Sequence, residues 1–478
     1  MGLKKNIFYS SILTTSNYVF PLLVYPYVSR VLGVSNIGIC NFVDSIIHYF
    51  VLFSMMGVTI MGTREIAASR GDSELLARRY SSILTLNGIT TAMALVILFF
   101  ATALVPELRE NKDMMIYGGI KLVSSYLLIE WFYKGIEDFR YITIRTILMK
   151  LIYVISVFIF VKESNDYSIY YLLTCLMVTG NAVINFIHAN KFVKFKYKLI
   201  SLREYIKPFF TLGSYMLITS MCTTFNIVYL GFMTNDTQVG YYTTATKLYT
   251  ILLALFTGAT SVILPRMSSL VAEKKMNEYV ALLGKSSNVL FSFSIPLIIF
   301  VIIFAQQIVL ILSGPGYEGA VLPMKIVIPL MLIIGYEQIV VIQGLMPLRK
   351  DKEVMFNSTI GACVSIILNC LLVPHLQSVG SAIVWICSEF VILILSQIAL
   401  SRNIHVSFPF KTLVTNVMGY LPLILVLYVL AMVTESFNYL LVVLLGGVTM
   451  VIYTLVLQTF ILKNSILINF THSIFHKR

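Results

Sequence analysis

Runs of about twenty apolar residues recur along this chain, and they constrain it more than any other feature. A bilayer's hydrocarbon core is about 30 Å thick, the length of a helix of about 20 residues. Fourteen such runs, bounded by charges or by Gly and Pro, lie near 7–30, 37–61, 81–104, 114–133, 142–161, 168–188, 208–232, 240–264, 287–312, 323–346, 354–374, 380–400, 413–433 and 438–462. Within lipid the backbone polar groups of each run must be satisfied inside it, so the runs predict helices and an all-α integral membrane protein of about 14 spans. Composition agrees: 58% of the 478 residues are hydrophobic and 12% charged, too few charges to cover a soluble protein of this size.

The charges that remain are sorted by side. With the N-terminus cytoplasmic, the cytoplasmic connections collect roughly 26 of the 35 basic residues, from Lys4 and Lys5 to Lys477 and Arg478, which is the positive-inside pattern. The opposite side keeps Arg30, Arg109, Lys112 and Lys162. An even number of spans with both termini cytoplasmic follows. The net charge of +13 therefore speaks of membrane orientation and not of nucleic acid. All six cysteines lie in apolar runs without metal-ligand spacing, and no metal site is expected. The first apolar run carries Asn17, Pro21 and Pro26 and continues without a small-residue cleavage site, so it reads as a retained span. Connections are short, and no soluble domain is inserted. A basic stretch, Lys191 to Lys198, follows the sixth span and reads as a linker facing solvent and lipid headgroups.

Internal repetition divides the chain. Gly38 opens the second span and Gly240 the eighth; Arg64 and Arg266 each follow 26 residues later, so both offsets are 202 residues. Gly135 closes the fourth span and Gly344 the tenth. A duplicated six-span unit results, with lobes at 1–200 and 201–405 and two further spans and a tail at 406–478.

Catalytic signatures are missing. Gly284-Lys285-Ser286 resembles the end of a phosphate loop, but Tyr279 stands where its first glycine belongs and no strand pattern precedes it. No nucleophile elbow, zincin motif or carboxylate pair in a long outward loop occurs, so no catalytic residue is assigned. Ionisable groups inside apolar runs carry more information, because each is costly in lipid unless it faces water or a partner. Asn41, Asp44 and His48, spaced i, i+3, i+7, share one face of the second span; they line water or bond a packed neighbour. Lys121 and Arg145 sit one to two turns inside the fourth and fifth spans, facing a cavity or snorkelling to the interface. Lys247 shares a face with Thr243 and Thr250, while Glu337 and Glu389 lie near the middle of the tenth and twelfth spans, as cavity groups or as carboxyls bonded to a neighbouring helix.

Four segments carry a resemblance: Tyr25 to Gly33 with Asn36-Ile37-Gly38, Gly62 to Ala67, Glu130 to Arg145, and Leu264 to Ser268, of which Glu130 to Arg145 is the most specific. Together with length and span number they resemble the Wzx-type polysaccharide flippases of the multidrug/oligosaccharidyl-lipid/polysaccharide exporter superfamily. The resemblance implies two pseudo-symmetric six-helix bundles around a central cavity, in the inner membrane of a bacterium. It also implies a substrate, an undecaprenyl-diphosphate-linked oligosaccharide of O-antigen, capsule or exopolysaccharide synthesis, moved outward by alternating access. Candidate substrate contacts are Arg30, Asn41, Lys121, Arg145 and Lys247. Asp44, His48, Glu337 and Glu389 are candidates for gating or for coupling to H+ or Na+, which the sequence does not require beside the membrane potential. No other cofactor is implied, and polymerase and chain-length regulator proteins join the lipid-linked sugar and the bilayer as candidate partners. The alternative on the same fold is a cation-coupled multidrug exporter.

Overall fold

A computed structural model describes residues 3–434 and 437–464; Lys477, Arg478 and the tail from 465, as well as the side chain of Lys4, lie outside the described residues. Among the described residues, all regular structure is helical. Among them nine helices are long and apolar enough to cross a membrane, and a bent pair, Arg203–Ser220 with Thr224–Met233 at 57°, makes up to ten. Two of the nine, Phe8–Ala67 and Asp351–Ile404, are double-length. The helix Leu3–Met55 is kinked at Gly33 (φ 77, ψ 169), and Asp351–Ile404 at Gln377 (φ 53, ψ −127). A single residue outside helical geometry replaces the loops that the apolar pattern leaves room for, and glycine at 33 takes the left-handed region without a Cβ penalty. Gly284-Lys285-Ser286 lies inside the helix Met276–Ile303 and forms no loop.

The chain packs as two compact units, 1–240 and 241–478. The packing boundary therefore follows the bent pair, which belongs to the first unit, whereas the repeat spacing divides the chain near 200. In the first unit two of the segments that carry the resemblance contribute to the core. Ile66, Trp131, Phe132, Tyr133 and Phe209 are fully buried together. Gly62 lies against the Trp131 indole and Gly135 against Ile66, each too close for a methyl group. Arg70 donates from Nε to the Gly135 carbonyl at 2.7 Å and pairs with Glu137 at 2.9 Å.

The two glycines related by the repeat meet in this unit. A Cβ built on Gly38 falls 1.8 Å from the carbonyl oxygen of Asp236, and one built on Gly240 falls 2.2 Å from that of Val34. Small residues let membrane helices approach to main-chain contact, and here the approach is reciprocal: 38 meets 236 as 240 meets 34.

A short turn joins the helices Phe139–Phe160 and Tyr167–Ala189 in the first unit. There the exposed Asp166 carboxylate accepts from the amides of Lys162 at 2.8 Å and Glu163 at 2.9 Å, and those two bonds hold its pKa below the ordinary aspartate range. A depressed folded value means that the turn is secured fully above the ordinary range and loosens as pH falls through the depressed one. Amide exchange at Lys162 and Glu163, referred to that of unstructured amides at each pH, is expected to accelerate in acid in the wild type, and to be fast and free of that transition in Asp166→Asn.

In the second unit the last two apolar helices, Phe410–Val433 and Tyr439–Val456, are held by a buried amide network. Gln458 donates to Asn416 at 2.8 Å, Asn416 to Asn288 at 3.4 Å, and the Tyr420 hydroxyl to the Ser292 carbonyl at 2.8 Å. Lipid supplies no hydrophobic force between helices, so such bonds and close packing fix them. A π-helical stretch, Ile339–Leu345, frees carbonyls that the buried Tyr279 hydroxyl meets, at 2.9 Å for Gln343.

Candidate functional site

The first unit gathers membrane-depth charges around the ends of the most specific motif. After the helix Lys112–Leu127 the chain breaks at Ile129 (φ 37) and restarts at Glu130, while the Asp138 carboxylate accepts from the Tyr141 amide to start Phe139–Phe160. These two devices set the motif's termini side by side. Arg145, 5% exposed, approaches Glu130 at 3.4 Å and donates to the Asn181 carbonyl and the Thr146 hydroxyl at 3.1 Å each. Its side chain is thus buried in the unit and does not snorkel. Glu130 also meets Lys134 at 3.4 Å. Among the described residues the Arg145 Nε and the Asn181 and Asn185 side-chain oxygens have no partner, donors and acceptors left over where polar groups are ordinarily satisfied.

One and a half turns further along the same helix lies Lys150, 8% exposed, with its ammonium donating to Asn17 Oδ1 at 2.6 Å and Ser16 Oγ at 3.1 Å. Among the described residues no carboxylate lies within ion-pair distance of it. Its aliphatic stem brings the charge over the Phe20 ring, 5.7 Å from the centroid, a contact that attracts a cation without neutralising it. Lys121 is paired with Asp44 of the second span, and both keep some exposure. His48 is exposed one turn beyond Asp44, and Asn41 turns its amide onto the Ile37 carbonyl of its own helix at 2.7 Å.

Structure thus brings Lys121 to Asp44 and Arg145 to Glu130 and adds Lys150, Asn17 and Ser16, which the apolar pattern alone passes over. Lys150 is itself a charge within the fifth apolar run, and the signal for its partners is a Ser-Asn pair in the middle of the first. Arg30 is exposed and bonds back to the Pro26 carbonyl of its own helix. The remaining candidates belong to the second unit. Lys247 is half-buried on the helix Asp236–Ala272. Glu337 and Glu389 lie on packed neighbouring helices, Leu330–Gln338 and Asp351–Ile404, and the Trp385 indole donates to Glu389 at 3.1 Å. Among the described residues, the buried Tyr249 hydroxyl has no hydrogen-bond partner.

Known proteins resemble this chain in sequence or in fold to different degrees. A protein of Escherichia coli (strain K12) with the provisional name O-antigen transporter is 25% identical over 406 residues, 84% of this chain and 98% of its own. One of Shigella dysenteriae with the same name is 26% identical over 279 residues, 56% and 68% of the respective chains. Among solved structures, the lipid II flippase MurJ in an inward closed conformation superposes with a TM-score of 0.78 at 14% identity, covering 94% of this chain and 98% of its own. A MATE transporter in a bent conformation gives 0.52 at 14% identity, with 83% and 98% covered. The chain shares the fold of MurJ and of the MATE transporter, in a multi-pass integral membrane protein. The family model described as polysaccharide biosynthesis protein matches residues 3–271, more than half of the sequence including all four resemblance segments, and the chain belongs to that family.

Proposed function

We infer that this protein is a flippase that carries polyprenyl-diphosphate-linked oligosaccharides from the cytoplasmic to the outer leaflet of a bacterial inner membrane, for O-antigen, capsule or exopolysaccharide synthesis. The observation that carries this reading is Lys150: an ammonium at membrane depth whose hydrogen-bond partners are neutral. Lys121 and Arg145 are each matched by a carboxylate, so Lys150 leaves the cluster with a positive charge that an anionic headgroup can answer. A diphosphate fits because Lys offers a point charge and Arg a planar fork to its oxygens. The family, the names of the E. coli and Shigella relatives and the MurJ-like fold support the same class of cargo. Those relatives are transporters and not catalysts, and no chemistry is assigned to this chain.

Alternating access exposes the sugar to each side in turn while the polyprenyl tail stays in lipid, with both termini cytoplasmic. A cytoplasm-negative potential drives an anion outward by about 2.3 kcal/mol per charge per 100 mV. Coupling to H+, or to Na+ displacing it, is assigned to Glu337 and Glu389, two carboxyls on neighbouring helices that can share a proton; Asp44 with His48 is the second such site. Lys150→Gln tests the reading in reconstituted vesicles in which a labelled lipid-linked sugar becomes accessible from the opposite leaflet. Losing a charge-assisted hydrogen bond of about 1.5–3 kcal/mol slows transfer roughly tenfold or more at matched protein level. An unchanged rate removes Lys150 from the site. Wild-type vesicles that export cationic dyes and leave the sugar lipid in place would move the protein to the multidrug class.

A further inference from the structure

The segment between the helices Tyr167–Ala189 and Arg203–Ser220 has no part in the transport reading, and its side chains suit a different partner. From Lys191 to Lys198 four lysines interleave with Phe192, Phe195 and Tyr197, and no Asp or Glu occurs from 190 to 203. The three rings are 46%, 51% and 71% exposed. Among the described residues, none of the four ammonium groups is within ion-pair distance of a carboxylate. Glu204, the next acid along the chain, is engaged by Arg78 at 2.9 Å. The pattern continues onto the following helix, where Arg203 and Lys207 stand beside exposed Ile206 and Phe210.

The main chain of this segment is fastened. Val193 is buried, the Lys196 amide donates to Ser81 Oγ at 2.8 Å, and the Ser201 amide donates to Ser82 Oγ at 2.9 Å. Both serines belong to the helix Ser73–Leu104, so the rings and lysines are held out from the first unit by a fixed backbone. Exposed rings and unpaired ammonium groups on a fixed strap, next to the ends of membrane helices, ask for one surface that is apolar and anionic together. A bilayer interface supplies both: aromatic rings seat at headgroup level, lysine stems run along the apolar side, and anionic headgroups take the charges.

We propose that residues 191–207 are an anchor for anionic phospholipid headgroups of the cytoplasmic leaflet, fastened to the first unit. The proposal rests on the charge-sorted topology and not on the identity of the cargo. The full-length protein carrying Phe195→Trp, in vesicles of phosphatidylcholine and phosphatidylglycerol with one or the other brominated, tests it by quenching of the introduced indole. The wild-type signal from the buried Trp131 and Trp385 is subtracted. Brominated phosphatidylglycerol is expected to quench with a preference of roughly fivefold or more. That preference should collapse in about 1 M salt, where the screening length is about 3 Å, and in a variant that also carries K191Q, K194Q, K196Q and K198Q. Equal quenching by both lipids at low salt would overturn the headgroup preference, absence of quenching would overturn the anchor itself, and a preference that survives the lysine substitutions would overturn their role. None of these readouts depends on transport, so the anchor and the flippase reading fail separately.

Discussion

Glu130→Gln should destabilise the detergent-solubilised protein by about 3 kcal/mol, more than Arg145→Met does, although both break the same ion pair. Removing one partner of a buried pair costs about 3–5 kcal/mol because the other charge is left uncompensated, and the figure sits at the low end here since Glu130 retains solvent contact. Without Glu130, the guanidinium, 4% exposed at its side chain, keeps only the Asn181 carbonyl and the Thr146 hydroxyl. Without Arg145, Glu130 still has Lys134 at 3.4 Å and water. Chemical or thermal unfolding of the two variants measures the difference; equal losses would show that the pair contributes through shape and not through charge. Transport should order the variants differently. Arg145→Met removes a cation from the cluster and should slow transfer, whereas any Glu130→Gln protein that remains folded keeps all three cations.

Gly38→Ala is expected to lose about 3 kcal/mol or more, at or above the usual range for overpacking, because its methyl group would lie 1.8 Å from a carbonyl oxygen and 2.6 Å from the carbonyl carbon of Asp236. The obstacle is main chain, so no side-chain rotation relieves it and the helices must part. Gly240→Ala meets the Val34 carbonyl at 2.2 Å with the same consequence. Once either methyl group has separated the two helices the other finds room, so the double variant should cost far less than the sum of the singles, a coupling of neighbours in one contact. Gly284→Ala, with open space around its Cβ position, is the control and should be close to neutral. Thermal unfolding of the four proteins gives the cycle; additive costs would mean that the two glycines act at independent places.

Much of this architecture was legible because lipid allows few solutions. Apolar runs had to be helices, and the motif from Glu130 to Arg145 marked a place where charge enters the membrane. Local detail was less visible. A run of apolar residues does not show that Gly33 alone kinks the chain, that Gln377 does the same without being glycine, or that Ile129 breaks the fourth span, since each depends on tertiary packing overriding propensity. The π-helical stretch after Glu337 has no compositional mark at all. For the site, sequence offered single charges and the structure supplied their partners. Asp44 and Lys121 are 77 positions apart, and Asn17 and Lys150 are 133 apart, separations that no local period connects. Lys150 was hidden because a lysine in an apolar run reads first as a snorkelling side chain, and only its neutral acceptors set it apart.

The reciprocal meeting of residues 34 and 38 with 236 and 240 has the form of a symmetric contact. Contacts in which each position touches its counterpart's neighbour, in both directions, are those of an isologous homodimer. A surface bearing one such glycine is self-complementary, so two like segments can dock on one another through a single kind of contact. A side chain placed at either glycine must therefore fit both backbones at once.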